Sequence, residues 1–209
     1  MVKGIASDLD GTLIDTAKLL AKSWEAAFDS EGIQIGYNEL YKNTRGIDSK
    51  DIIRRYKKES SAEDLKRIKE KRKSNFLNFV AAGDQILYPE TLEVIRTIKE
   101  KGVKFAIATG MSRDLLDKVL ELSGLNEIVD AVVSSDDVKN GKPEPDIFIE
   151  AFRRIKVTPN EGIVVGDSEN DIIPGNRIGA FTVYISREGD KSKIANISIT
   201  NLRELLKLV

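Results

Sequence analysis

Five short runs rich in Ile, Val, Ala and Phe recur along the chain: "KGIASD" (3–8), "VKFAIAT" (103–109), "VDAVVSS" (129–135), "GIVVGD" (162–167) and "FTVYIS" (181–186). Nearly continuous apolar runs of this length suit strands covered on both faces, as in a parallel sheet between two helical layers. The segments between them carry helical spacing. "PETLEVIRTIKEKG" (89–102) puts Pro89 in a first turn, Leu92, Ile95 and Ile98 on one stripe, and Gly102 at the stop. "SRDLLDKVLELSG" (112–124) opens on Ser112 as a cap and closes on Gly124, and "DIFIEAFRRI" (146–155) is amphipathic as well. Alternating strands and helices with right-handed crossovers predict an α/β core built on a parallel sheet.

Residues 17–82 break that rhythm and read as helices only: "AKLLAKSWEAAFDSEG", "NELYKNT", "DSKDIIRRYKKES" and "SAEDLKRIKEKRKSNFLNFVAAG". The last begins with Ser61 and Asp64 at capping-box spacing. A helical insertion after the first strand accounts for this, leaving a core of 1–15 and 83–209 around an inserted unit of 16–82. Trp24 and Phe28 fall at helical spacing and read as the core of that unit. The run "KRIKEKRKS" (66–74) reads as a solvated helix face rather than a funnel for anions. Pro174 follows "GDSENDII"; a proline is tolerated in a first helical turn, so a short helix from about Asp171 to Ile178 is expected.

Composition narrows the chemistry. There is no cysteine, which excludes disulfides and thiolate chemistry, and no histidine, which removes the usual proton shuttle and the commonest zinc ligand. Catalysis then falls to carboxylates, hydroxyls, lysines and a hard cation. With 33 Lys and Arg against 34 Asp and Glu, the summed charge gives no general attraction to nucleic acid or an anionic membrane. No apolar stretch approaches the ~18 residues of a membrane span, and "MVKGIASD" lacks the apolar region of a secretory signal. A cytoplasmic protein with a small-molecule partner is expected.

Asp8, Thr109 and Asp167 end predicted strands, and Lys142 lies in the loop "NGKPEPD" after another. Ligands of an open parallel sheet bind outside the carboxyl ends of its strands, so these four residues converge on one edge, with Asp171 close enough to support them. Taken alone, "DLDG" is an ordinary turn. It is not an EF-hand, since counting from Asp8 puts Leu13 where glycine is needed and Leu19 where glutamate is needed.

Together, "DLDGTLIDT", "IATG", "GKPEPDIF" and "GDSENDI" resemble, in order and approximate spacing, the four successive motifs of the haloacid dehalogenase superfamily. The resemblance implies a Rossmann-like, doubly wound parallel sheet with an inserted helical cap, and a magnesium-dependent phosphatase of small phosphorylated metabolites. It implies that Asp8 is the nucleophile, forming an aspartyl-phosphate, and that Asp10 is the acid and then the base. Mg2+ would be held by Asp8, the Asp10 backbone carbonyl and Asp167, while Asp171 would orient Asp167, Lys142 or a metal-bound water. Thr109, Gly110 and Lys142 would bind the transferring phosphoryl group.

Within that family the second aspartate, Asp10, argues for phosphate rather than carbon–halogen chemistry. Leu20 and Ser49 stand where small phosphomutases of similar architecture carry a histidine and a basic residue, which weakens a mutase. A phosphonate hydrolase would need an activated cap lysine, and none is singled out. A phospho-accepting receiver module uses the same residue types in another order and without the insertion. The inserted helices are similar to the small cap of the phosphoglycolate phosphatase and β-phosphoglucomutase group, whose closure excludes water and limits substrates to small molecules. "NTRGIDS" (43–49) interrupts the helical pattern: Arg45 is a candidate for reading substrate, and an exposed turn with Gly46 as helix stop is the alternative. Either a monomer or a homodimer is compatible with the sequence.

Overall fold

The computed structural model describes residues 2–44, 47–82 and 86–209. The five apolar runs are strands: β1 (Gly4–Ser7), β2 (Lys104–Ala108), β3 (Ala131–Val133), β4 (Gly162–Gly166) and β5 (Phe181–Ile185). A sixth, β6 (Ile197–Ile199), joins at the edge and completes the order β3-β2-β1-β4-β5-β6, every pairing parallel. In this order β1 and β4 are neighbours at the point where the chain reverses its direction of progress across the sheet, which is where a crevice opens beyond the strand ends. Ser7 pairs with both Ile107 and Val165, so the chain leaves β1, β2 and β4 at nearly the same level.

Eight helices are described: α1 (Ala17–Asp29), α2 (Tyr37–Asn43), α3 (Ser49–Tyr56), α4 (Ala62–Ala81), α5 (Thr91–Glu100), α6 (Arg113–Ser123), α7 (Asp146–Ile155) and α8 (Glu169–Arg177). The chain divides into two compact units, Met1–Ile14 with Leu87–Val209, and Asp15–Ile86. In the first, α7 lays Ile147, Phe148, Ala151, Phe152 and Ile155 against Ala6, Ala106, Ala108 and Val164 of the sheet. Small residues on the strands let the helix approach closely, and the two buried phenylalanines each contribute about 1.5–3 kcal/mol.

The second unit contains α1–α4 around Trp24, Phe28, Leu40, Ile52, Ile53 and Ile68. Trp24 stacks on Phe28 at 5.4 Å between ring centroids, and Phe28 meets Tyr56 edge-on at 5.5 Å. Ser61 and Asp64 form the capping box that starts α4. The run 66–74 is solvated along one face, where Lys66, Arg67, Lys69, Glu70 and Ser74 are exposed, and packed along the other. Ile68 is in the core, Arg67 and Lys71 reach back to Glu31 at 2.6 and 2.9 Å, and the buried Arg72 holds its guanidinium 5.6 Å from the Trp24 ring centroid. Long basic side chains lay their apolar stems on the helix pair while their charged ends meet a carboxylate or an aromatic face.

The helix at Pro174 also corrects the sequence reading. It starts at Glu169, two residues earlier than expected, and Pro174 stands inside it. Ser168 and Asp171 form a capping box that sets the start, so the missing proline amide falls beyond the first turn. What holds the helix is its packing: Pro174 and Gly175 are buried, and a Cβ on Gly175 would lie 2.7 Å from Thr182 Cγ2 and 3.0 Å from Val164 Cβ. No helix among the described residues is long and apolar enough to cross a membrane.

Candidate active site

Asp8 is the first residue beyond β1. Its amide donates to the Val165 carbonyl at 2.8 Å, continuing the β1–β4 ladder, and its own carbonyl accepts from the Ser7 hydroxyl at 2.7 Å. These two bonds hold the backbone on both sides of a carboxylate that is itself buried. Lys142 arrives from the loop before α7 and donates from Nζ to Asp8 Oδ1 at 2.5 Å. The same ammonium lies 2.7 Å from Asp171 Oδ1 and 5.0 Å from the Phe148 ring centroid.

Asp171 is fixed by the start of α8. Its Oδ2 accepts from the Ser168 amide at 3.2 Å and from the Ser168 hydroxyl at 2.7 Å, which leaves Oδ1 for Lys142. Asp167, directly after β4, completes a group in which Asp8, Asp167 and Asp171 each offer a carboxylate oxygen within 4.8 Å of the others. Gly11 makes room for it. Its φ is +79°, and a Cβ there would lie 2.0 Å from Asp167 Oδ2, so only glycine satisfies both the backbone and the approach.

Asp10 is half-buried in the turn after β1, where its backbone bridges Ile14. Thr109 is buried at the end of β2; its amide donates to the Val133 carbonyl at 3.0 Å, and its hydroxyl accepts from the Met111 amide at 3.1 Å. Gly110 follows with exposed backbone and open space where a side chain would stand. Arg45 lies outside the described residues. Thr12 was not singled out from the sequence, although it follows directly in "DLDGT"; its hydroxyl donates to Asp8 Oδ2 at 3.4 Å.

Acidic groups outnumber cations here. Burial pushes the Asp8 carboxyl well above the usual carboxylate range, the charges of Asp171, Asp10 and Asp167 push it further, and Lys142 works against them. Burial alone would lower Lys142, but attraction to Asp171 and Asp8 outweighs it and holds the ammonium charged. The donors are oxygens throughout, a set suited to a hard cation and unsuited to a soft one.

A fully parallel sheet ordered in this way, with carboxylates and one ammonium gathered at its switch point, defines a Rossmann-like α/β protein with a polar site at the strand ends. Residues 2–179 match the family described as haloacid dehalogenase-like hydrolase, and the chain belongs to that family. Pyrophosphatase PpaX of Halalkalibacterium halodurans is 30% identical over 196 residues, covering 88% of this chain and 83% of the relative. Pyrophosphatase PpaX of Bacillus cereus is 30% identical over 190 residues with the same coverages. Among solved structures, CbbY from Rhodobacter sphaeroides in complex with phosphate superposes with a TM-score of 0.82 at 23% identity, covering 98% of this chain and 96% of that one. The β-phosphoglucomutase of Clostridium difficile gives 0.78 at 23% identity, covering 98% and 93%. The family match and the pyrophosphatase relatives support a phosphatase-type hydrolase, and the solved structures share its fold.

Proposed function

We propose that the protein hydrolyses small phosphorylated compounds, phosphomonoesters of the phosphoglycolate or sugar phosphate type, through an aspartyl-phosphate on Asp8. The observation that carries this reading is the Lys142 ammonium, 2.5 Å from Asp8 and 2.7 Å from Asp171. A cation held there neutralises both the nucleophile and the incoming phosphoryl oxygens. An Asp8 carboxylate oxygen attacks phosphorus and the bond to the leaving oxygen breaks, while Asp10 gives that oxygen a proton. Water then attacks the aspartyl-phosphate, Asp10 takes its proton, and inorganic phosphate departs as the Asp8 carboxylate is restored. Thr109 and the open Gly110 backbone bind the phosphoryl oxygens.

Both oxygens of Asp171 are held closely, by Lys142 and by Ser168, whereas Asp8 Oδ2 has among the described residues only the 3.4 Å contact with Thr12, so Asp8 and Asp167, with the Asp10 carbonyl, are the residues that would hold Mg2+. When bound, the ion supplies positive charge that offsets the excess of carboxylates and polarises the phosphoryl group. The unit Asp15–Ile86 is read as the cap, with Arg45 as its candidate for reading substrate, and Leu20 and Ser49 weigh against a mutase.

The pyrophosphatase names of the relatives favour a second reading, in which the bond broken is the phosphoanhydride of inorganic pyrophosphate. The chemistry at Asp8 is the same; the leaving group is phosphate, which needs less help from an acid. A phosphate-release screen with magnesium over small phosphomonoesters and pyrophosphate, with Asp8→Asn as control, tests both. Turnover that depends on Asp8 supports the mechanism, and the preferred compound decides between the readings. An Asp8→Asn variant as fast as the parent removes the assignment of the nucleophile.

A further inference from the structure

Arg187, in the loop after β5, belongs to none of the four motifs, yet it reaches the turn that carries Asp8 and Asp10. Its Nη1 pairs with Oε1 of Glu90, a carboxylate only 3% exposed. Its Nη2 donates to the Thr12 carbonyl at 3.1 Å, and the guanidinium carbon lies 3.8 Å from the Tyr88 ring centroid. Glu90 is held from a second side, accepting from the Leu202 amide at 3.4 Å. Arg187 keeps this carboxylate ionised despite its burial, lowering its pKa.

The segment carrying Tyr88 and Glu90 also grips the next residue of the turn. The Tyr88 amide and the Thr91 hydroxyl donate to the Leu13 carbonyl at 3.2 and 2.8 Å. Two successive carbonyls of the turn, Thr12 and Leu13, are therefore fixed from outside it. The Thr12 side chain, in turn, donates to Asp8 Oδ2 at 3.4 Å. Contacts run without a break from Glu90 through Arg187 and Thr12 to Asp8.

An arginine near an anion site is commonly a reader of the anion. Here the charge is met by a buried glutamate and one face is covered by an aromatic ring, so the planar fork serves to join a carboxylate to a backbone carbonyl. We propose that Arg187, with Glu90 as its anchor, is a positioning residue: it clamps the Thr12 carbonyl and so sets where the Asp8 and Asp10 carboxylates stand, without touching substrate. The proposal rests on the reading of Asp8 as nucleophile.

The test compares full-length parent, Asp8→Asn, Arg187→Gln, Arg187→Lys and Glu90→Gln on p-nitrophenyl phosphate and inorganic pyrophosphate with magnesium, well below each variant's Tm. Misplacement of reacting groups lowers turnover rather than ground-state binding, so Arg187→Gln loses about tenfold in kcat with KM held within about twofold. Arg187→Lys keeps one donor and the charge and recovers part of the loss, and Glu90→Gln falls between the two. A kcat for Arg187→Gln within about twofold of the parent overturns the clamp, and so does a rise in KM at constant kcat, which marks a substrate reader. If Arg187→Gln does not fold, parental kcat in both Arg187→Lys and Glu90→Gln overturns it equally. Full activity in Asp8→Asn removes the nucleophile and this proposal together; an inactive Asp8→Asn beside an unimpaired Arg187→Gln removes the clamp alone.

Discussion

Gly11 shows how closely the site is built at the level of single atoms. Its positive φ costs an L-residue about 1–2 kcal/mol, and the space a methyl would need is taken by Asp167 Oδ2, 2.0 Å away. Gly11→Ala is therefore expected to lower stability by about that amount and to displace Asp167, with turnover falling about a hundredfold for a shift near 1 Å. Urea unfolding and steady-state kinetics on the same preparation check this. Normal turnover in a destabilised variant would mean that Asp167 accommodates the methyl without leaving its working place. The residues around Gly11 differ in how visible they were. Asp8, Lys142, Asp167 and Asp171 come in motifs whose order carries information. Thr12 sits inside the first motif without being marked by it, while Glu90 and Arg187 lie outside all four, paired across 97 positions and leaving no local pattern.

Two helices start with the same device and serve different ends. Ser61 with Asp64 opens α4, and Ser168 with Asp171 opens α8. Removing either hydroxyl costs about 1 kcal/mol of cap. Only in α8 does the capping carboxylate also hold Lys142, so Ser168→Ala should lower turnover while Ser61→Ala leaves it unchanged, although both shift the urea midpoint. Equal turnover in the two variants would disconnect the cap from the site. α8 is also where the sequence misled. Proline tolerance alone points to a late start, whereas the capping box of Ser168 and Asp171, which satisfies amides outright, determines where the helix begins. β1 to β5 were legible because burial on both faces demands apolar runs, whereas β6 is three residues long with Ser198 at its centre and carries no such run. Within the helical unit, hydrogen bonds from Arg67 and then Lys71 depress Glu31 from 4.5 to about 2. A depressed carboxylate stabilises fully above its unfolded value and loses that contribution as pH falls toward the folded one. Glu31→Gln should thus lower stability by up to about 1 kcal/mol near neutrality, after screening of its exposed partners, and by almost nothing near pH 2. Fluorescence of Trp24, the single tryptophan, follows unfolding of this unit in urea at both pH values; a difference that persists at the lower pH would assign the effect to packing.

At the scale of the whole molecule, the site exists only when the sheet does. Asp8 and Lys142 are 134 residues apart, and Asp167 comes from a third strand end, so an unfolded chain has no such cluster. The order of motifs disclosed this convergence, because topology sends every strand end of a parallel sheet to one edge; the division at Ile14 and Leu87 left a coarser trace, a change from alternating to purely helical pattern. A ligand that binds only the folded state stabilises by mass action, about 2.7 kcal/mol at one hundred times its Kd, or a few degrees in Tm for a chain of this size. Magnesium should accordingly raise the calorimetric Tm of the parent, and EDTA should reverse the rise. Asp167→Asn removes one proposed donor and also relieves repulsion among the carboxylates, so it should begin with a Tm equal to or above the parent's and gain less from magnesium. Opposite signs for the two changes separate ion binding from general weakening of the fold, since a variant that merely unfolds more easily starts lower and keeps its response. An undiminished magnesium shift in Asp167→Asn would place the cation elsewhere and leave the excess negative charge at Asp8 without its proposed counterion.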